Sequence, residues 1–244
     1  MWLNEDIEIL DGQAILHIKS LDALVCSDLH LGYEGVMAER GIFLPKANLS
    51  RIKHDIEKAV QKTNASKVIV AGDIKNEFSK VHLEEFNEFD EFVNFTKQIG
   101  ISRLVLIKGN HDNFVDKYKE PFNIEIYRQE TLFGKYLIFH GEKLPKASDC
   151  DFMIMGHAHP AIAVFNKIGV KEKIKCFLYG RLNNGKHIIV LPAMNFYAEN
   201  VEMNIEDVSE LSPVFGKLVN VNDLRAFCIG DGETLDFGKI GNLR

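Results

Sequence analysis

The chain has 244 residues, of which 46% are hydrophobic and 26% charged, and its formal net charge is −6. This composition is typical of a soluble globular protein, and the negative charge argues against bulk attraction to nucleic acid. No stretch approaches the roughly 20 apolar residues that span a bilayer, so we expect no membrane partner. The N-terminus is acidic and unlike a signal peptide, and the four cysteines are widely spaced. These features predict a cytoplasmic protein with reduced thiols.

The first half of the chain predicts strands that alternate with helices. Ile52, Ile56 and Val60 recur every four positions, as on one face of a helix. A second helical segment ends at Gly100 and carries an apolar stripe that we interpret as a core-facing surface. The predicted elements are strands 14–19 and 23–28, helix 48–63, strand 67–73, helix 81–100 and strand 103–110.

The second half of the chain predicts strands with little room for helices between them. These strands are 124–128, 135–141, 151–159, 161–166, 173–180 and 186–192. The two halves together favour an α/β fold with an antiparallel second half. Two sheets packed face to face, with helices outside, would form a four-layer α/β/β/α sandwich. Because no repeat or flexible linker is evident, we expect residues 1–244 to form a single domain.

Residues 166–187 form a basic strip in an otherwise acidic chain. The strip has a net charge of +5. Lysines commonly protect the exposed edge of a β-hairpin, which is one interpretation of the strip. The other interpretation is a surface that contacts phosphate groups beside an active site. The charged residues are Lys167, Lys171, Glu172, Lys173, Lys175, Arg181 and Lys186.

Five apolar strands each end in a short block that contains Asp, Asn or His, with a glycine nearby. Ligand sites in α/β sheets lie at the carboxyl ends of strands, and glycine lets the backbone turn sharply there. Side chains two residues apart in extended chain point the same way. We therefore expect Asp28 and His30 to reach one metal, and His157 and His159 to reach one cavity. The blocks are SDLH (27–30), GD (72–73), GNHD (109–112), HG (140–141) and GHAH (156–159).

The five blocks together resemble the pattern D-x-H, G-D, G-N-H-D/E, H and G-H-x-H of the calcineurin-like metallophosphoesterase superfamily. The matching residues run from Asp28 to His159. The tail (160–244) is similar to that of small archaeal and bacterial phosphoesterases, a branch that includes DNA-ligase-associated repair endonucleases. The stretches DLHLGYEG, RGIFLP and GDIKNEF point to the same branch. The resemblance implies the metallophosphoesterase sandwich and a hydrolase acting on phosphate esters.

The resemblance also implies two divalent metal ions, with a bridging hydroxide that attacks phosphorus in line. Imidazole, carboxylate and amide ligands suit several metals, of which we expect manganese, with iron, zinc and nickel as alternatives. The implied ligands are Asp28, His30 and His159 for the first metal, Asn110, His140 and His157 for the second, and Asp73 as the bridge.

Three residues near the ligands receive other roles from the resemblance. His111 would donate to the leaving oxygen as a general acid or stabilise its charge. Asp112 would order the loop. Asn76 occupies the position where monoester-cleaving phosphatases commonly have Asp and nuclease relatives commonly have His. Because no carboxylate supports the charged form of His111, Asn76 favours a diester substrate.

The leading hypothesis is therefore a metal-dependent phosphodiesterase that acts on nucleic acid, in the manner of a DNA endonuclease, or on nucleotides. A phosphomonoesterase or nucleotide phosphatase on the same centre is the alternative. A non-catalytic scaffold of the same fold is a third reading, but scaffolds usually lose ligands and this chain retains the full set. The expected partner is a phosphate-ester substrate, with DNA as a candidate. The sequence does not determine whether the chain has protein partners.

Overall fold

The computed structural model describes residues 1–77, 82–119, 124–147 and 149–243. Its first sheet contains strands in chain order, with β1, β2 and β3 antiparallel and β3 to β6 parallel. The carboxyl ends of β3, β4 and β5 therefore lie along one edge of this sheet. The strands are β1 (Ile7–Ile9), β2 (Leu16–Ile18), β3 (Ala23–Cys26), β4 (Lys67–Ala71), β5 (Arg103–Ile107) and β6 (Glu125–Tyr127).

Two long helices cover the outer face of the first sheet. Helix α2 (Asn48–Thr63) has the predicted bounds, and α3 (Leu83–Gln98) lies within the predicted 81–100. Val81, the first residue of the predicted helix, and Phe78 of the GDIKNEF stretch lie outside the described residues. A short helix, α1 (Tyr33–Glu39), was not predicted, because its seven residues are too few to display a helical period.

The second sheet is mixed, so the expectation of an antiparallel second half is wrong for five of its strands, two of which, β10 and β13, form a parallel pair. β9 pairs in parallel with both β8 and β12, and the antiparallel β10–β11 hairpin lies between β9 and β12 in the chain. The hairpin replaces the helix that usually connects parallel strands. The strands are β7 (Glu130–Phe133), β8 (Tyr136–Phe139), β9 (Phe152–Met155), β10 (Pro160–Phe165), β11 (Lys171–Arg181), β12 (His187–Val190), β13 (Val201–Glu202), β14 (Arg225–Ile229) and β15 (Thr234–Lys239).

The alternation of side chains along the strands builds the layers. Val25 of β3 packs with Ile154 of β9 in the core between the two sheets. The neighbouring Leu24 faces the other way and packs with Ile52 of α2. The outer face of the second sheet is covered by helix α4 (Pro213–Lys217) and the loops around it. The predicted four-layer α/β/β/α sandwich is therefore confirmed, with a thin outer layer on the second sheet.

The basic strip is paired with neighbouring strands on both sides only in its second half. Leu178 and Tyr179 of its strand, β11, pair with both β12 and β14, which therefore lie on opposite sides, whereas Lys171 to Lys175 pair with β10 alone. Lys171 and Lys173 form ion pairs with Glu202, at 2.8 and 3.1 Å. Lys175 is half-buried and donates to the backbone carbonyls of Ala193 and Asn195. These three lysines therefore also make contacts within the fold, and both interpretations of the strip stay predictions.

Two further features concern the cysteine thiols and the apolar character of the helices. All four cysteines lie in described residues, where their thiols are buried and free. No helix among the described residues combines the length and apolar character that a membrane span requires.

Candidate metal centre

The five sequence blocks meet where the two sheets present their carboxyl ends to the same place. Three blocks follow the parallel strands β3, β4 and β5, and two follow the parallel strands β8 and β9. The donor atoms form three overlapping sets, and within each set they lie within 4.8 Å of one another. The sets are Asp28, His30 and His159; His30, Asp73 and His111; and Asp73, His140 and His157.

The backbone of these blocks is not extended, which corrects the argument from side-chain alternation. The strands have already ended at Cys26 and Met155. Beyond them, Asp28, His30, Asp73, His157 and His159 all have left-handed backbone, with φ between 43° and 66°. Residues other than glycine adopt this conformation at a cost of about 1–3 kcal/mol each, so surrounding contacts must hold it. The predicted convergence occurs, but left-handed turns produce it.

Glycines in the blocks allow the close packing of the site. A Cβ atom on Gly72 would overlap the His140 ring, and one on Gly109 would overlap the Asp73 carboxylate. A Cβ atom on Gly156 would come within 2.6 Å of Asp28 Oδ2. These positions therefore exclude any larger side chain without movement of a candidate ligand.

Carboxylates and imidazoles face each other across the centre. His159 Nε2 lies 3.1 Å from Asp28 Oδ1, and His140 Nε2 lies 3.1 Å from Asp73 Oδ2. Asn110 Oδ1 also lies 3.1 Å from His140 Nε2. His157 lies close to Asp73 and His140 in the third donor set. The structure therefore brings together all seven residues that the resemblance assigned to metals.

Backbone carbonyls orient two of the rings. His140 Nδ1 donates to the carbonyl of Ala71 at 2.9 Å, and His159 Nδ1 donates to the carbonyl of Glu199 at 3.2 Å. In both rings Nε2 is thereby directed at the centre, as is usual for histidines that bind metals. Sequence reasoning missed Glu199, because a backbone carbonyl acceptor leaves no signal in residue type.

The donor set fits a divalent metal ion. Asp28 and Asp73 are almost fully buried and bring two negative charges into the interior. Both ring nitrogens of His30 are buried and lack a hydrogen-bond partner among the described residues. Buried polar atoms are normally satisfied, so this ring indicates a ligand that is not part of the polypeptide.

Charge interactions within the centre keep the carboxylates ionised. Burial acts to raise the pKa of Asp28, but His159 outweighs it and holds this pKa well below its ordinary value. Burial acts to lower the pKa of His140, but Asp73 raises it to about 10. Burial lowers the pKa of His30 to about 4, although Asp73 opposes the shift. His30 is therefore a neutral base at pH 7, the form that binds metals.

His111 lies at the side of the centre. Its ring centroid is 5.0 Å from that of His30, and its backbone N–H donates to Asp73 Oδ1 at 2.9 Å. Its Nδ1 lies 2.5 Å from the backbone carbonyl of Asn76, which serves as a neutral acceptor. Asn76 thus contacts His111 through its main chain, a contact that its side-chain identity could not predict.

Asp112 is fully buried below the centre and connects two of the loops. Its carboxylate accepts the N–H groups of Asp73 at 2.7 Å and Gly109 at 2.8 Å. It also accepts the N–H groups of Ile74 and Lys75. These contacts fit the loop-ordering role expected for Asp112.

The family of the chain follows from its sequence as well as its site. The family model described as calcineurin-like phosphoesterase matches residues 21–155, more than half of the chain. The chain belongs to this family and is a metal-dependent hydrolase of phosphate esters. The match ends just before the Gly156–His159 block, which the structure nevertheless brings into the same centre.

One solved structure shares the fold over nearly its whole length. The chain is similar to the crystal structure of Pseudomonas putida nuclease MPE, with a TM-score of 0.64 and 16% sequence identity, and the match covers 93% of each chain. No curated protein sequence matches the chain.

Proposed function

We propose that residues 1–244 form one metallophosphoesterase domain that uses two divalent ions to hydrolyse phosphodiesters in nucleic acid or nucleotides. The observation that carries this proposal is the overlap of the donor sets: Asp73 lies close both to His30, which shares a set with Asp28 and His159, and to His140 and His157. The similarity in fold to a nuclease supports nucleic acid as the substrate class. The core that spans both sheets supports a single domain.

The proposed ligands divide as the resemblance implies. Asp28, His30 and His159 would hold one ion, Asn110, His140 and His157 the other, and Asp73 would bridge them. When bound, two divalent ions would supply positive charge to the phosphoryl group and lower the pKa of an attacking water. The imidazole, carboxylate and amide donors suit manganese, which we propose as the working metal ahead of iron, zinc and nickel.

His111 is proposed as the group that assists the leaving oxygen. The carbonyl of Asn76 accepts from Nδ1, so Nε2 is the ring nitrogen that would donate to or accept from the substrate. A neutral carbonyl supports the charged form of the ring less than a carboxylate would. The doubly ionised phosphate of a monoester depends more on such a charged group than a diester does. The contact with Asn76 therefore supports a diester substrate.

The proposal is tested by comparing bis-p-nitrophenyl phosphate with p-nitrophenyl phosphate in the presence of manganese. We expect faster hydrolysis of the diester, near-complete loss of activity in Asp73→Ala, and normal activity in Asp231→Ala, an exposed control. Faster hydrolysis of the monoester would replace the proposal with a phosphatase. Failure to bind metal and to hydrolyse either ester would indicate a scaffold.

The nucleic-acid part of the proposal needs its own assay. A chain that cleaves the diester should also cut single-stranded or duplex DNA with the same dependence on manganese and on Asp73. Products are resolved by denaturing electrophoresis. Cleavage of nucleotides without cleavage of DNA would restrict the substrate to small diesters.

A further inference from the structure

A groove separate from the metal centre lies between helices α2 and α3. Its volume is about 980 Å³, and its walls combine apolar side chains with six carboxylates and two lysines. None of the proposed metal ligands is among the described residues that line it. The carboxylates are Glu34, Glu39, Glu57, Glu84, Glu88 and Glu91.

Glu34 of α1 is the buried end of this groove. This residue is only 4% exposed. One oxygen, Oε1, accepts the N–H groups of Ala47 at 3.0 Å and Asn48 at 2.9 Å. The other oxygen, Oε2, is buried and has no hydrogen-bond partner among the described residues. An unsatisfied buried carboxylate oxygen is costly, and a donor in the groove would remove that cost.

Two further carboxylates approach Glu34. The Glu84 carboxylate packs against Gly35, where a Cβ atom would overlap it. Glu88 is held on the other side by the N–H group of Gly32, at 2.7 Å. Burial raises the pKa of Glu88 to about 7 against that hydrogen bond, and the charges of Glu34 and Glu84 add to the rise. Three carboxyl groups therefore converge at this end of the groove, and a bound cation would favour the charged form of Glu88.

The two lysines that line the groove form ion pairs with carboxylates other than those of Glu34 and Glu88. Lys46 pairs with Glu84, and Lys53 pairs with Glu91 at 2.8 Å. Neither Glu34 nor Glu88 has a salt bridge within the part of the chain that the structure describes. The groove thus has an excess of negative charge that its own side chains do not balance.

We propose that the groove binds an aliphatic cation, with an ammonium or guanidinium group at Glu34 and Glu88 and its carbon chain along Leu49, Leu83 and Phe95. These apolar residues line the same groove, and Leu83 is 74% exposed. A metal ion fits less well, because the only described sets of acidic or histidine donors within 4.8 Å of one another are at the metal centre. An organic cation is larger than a metal ion, so the carboxylates that bind it can lie farther apart. Its carbon chain can also contact the apolar wall of the groove.

The test is an NMR titration of the full chain with 1,4-diaminobutane in the presence of a chelator, which makes the result independent of the metal centre. We expect saturable shifts in the amide signals of Gly32, Gly35 and Asn48. The uncharged 1,4-butanediol should give none. Titration with a lysine-containing peptide shows whether a free amine or a side chain of another protein supplies the cation.

Matched glutamate-to-glutamine variants identify the contacts. Glu34→Gln keeps an oxygen that accepts the N–H groups of Ala47 and Asn48 but removes the charge, and we expect an affinity loss of about tenfold or more. Glu88→Gln should act in the same direction, and it decides the question if Glu34→Gln fails to fold. Glu210→Gln, exposed and outside the groove, is the control. Unsaturable shifts with both cationic probes, or equal affinity in all folded variants, would overturn the proposal.

Discussion

The ring of His111 is oriented by the main chain and lies close to His30 without joining the proposed ligand set. Nδ1 contacts the Asn76 carbonyl at 2.5 Å, and the backbone N–H contacts Asp73. Removal of the side chain therefore loses the contact with Asn76 but leaves the backbone contact with Asp73 in place. This separation lets catalysis and metal binding be tested independently.

His111→Ala should retain both metal ions and lose turnover by about 10²–10⁴-fold, the usual contribution of a general acid or base. Metal content is measured by plasma mass spectrometry and turnover with the diester. His54→Ala, at an exposed histidine of α2, should change neither quantity. Loss of metal from His111→Ala would contradict the proposed assignment.

Asp112→Asn should destabilise the chain by about 2–3 kcal/mol, because an amide cannot accept from all the N–H groups that the carboxylate satisfies. The affected donors include Asp73 and Gly109. Urea denaturation in the presence of chelator measures this effect without metal binding. Asp231→Asn at an exposed position should change the free energy of unfolding by less than about 0.5 kcal/mol. An equal effect of the two substitutions would show that Asp112 does not order the loops.

At the scale of the elements, the site depends on how the strands end. β3, β4 and β9 each pass into residues with left-handed backbone, and glycines allow neighbouring loops to approach. Gly109 follows β5 and contacts both Asp73 and His140. Because its own φ is not left-handed, substitution at Gly109 tests the close approach and not backbone strain.

Gly109→Ala should lower metal affinity and turnover by at least about tenfold, since a Cβ atom there displaces the Asp73 carboxylate. Overpacking of this kind typically costs about 1–3 kcal/mol. Gly230→Ala is the matched control, because a Cβ atom at that glycine would meet only ordinary contacts at 3.5 Å or more. Calorimetric titration with manganese measures the metal affinity of both variants. Unchanged affinity in Gly109→Ala would mean that the site tolerates a shift of Asp73.

At the scale of the whole molecule, the metal centre joins the two sheets. Asp28 and Asp73 come from the first sheet, and His140, His157 and His159 come from the second. Ions bound between them would stabilise the packing of one sheet on the other. Without ions, the buried carboxylates depend on protonated histidines such as His140, whose pKa is raised to about 10 by Asp73 against the effect of burial.

Chelation should therefore lower the melting temperature, and manganese should restore it. A ligand at one hundred times its Kd stabilises by about 2.7 kcal/mol, which corresponds to about 5–10 °C for a chain of this size. Differential scanning calorimetry measures the shift, and zinc, iron and nickel are compared under the same conditions. Asp73→Ala should show no metal-dependent shift. A melting temperature independent of metal in the unmodified chain would contradict a centre that joins the sheets.

The sequence by itself determined the strand-end blocks, the bounds of α2, the α/β class and the family. These features depend on residue type and local spacing, which the printed chain contains. Only the tertiary structure decided the parallel pairing of β9 with β8 and β12, the contacts of Lys175 with backbone carbonyls, and the carbonyl contacts of Ala71, Asn76 and Glu199. Only the tertiary structure also decided the left-handed backbone at Asp28 and His159. Each of these depends on main-chain atoms that every residue shares, so packing between distant segments selects them and side-chain identity does not.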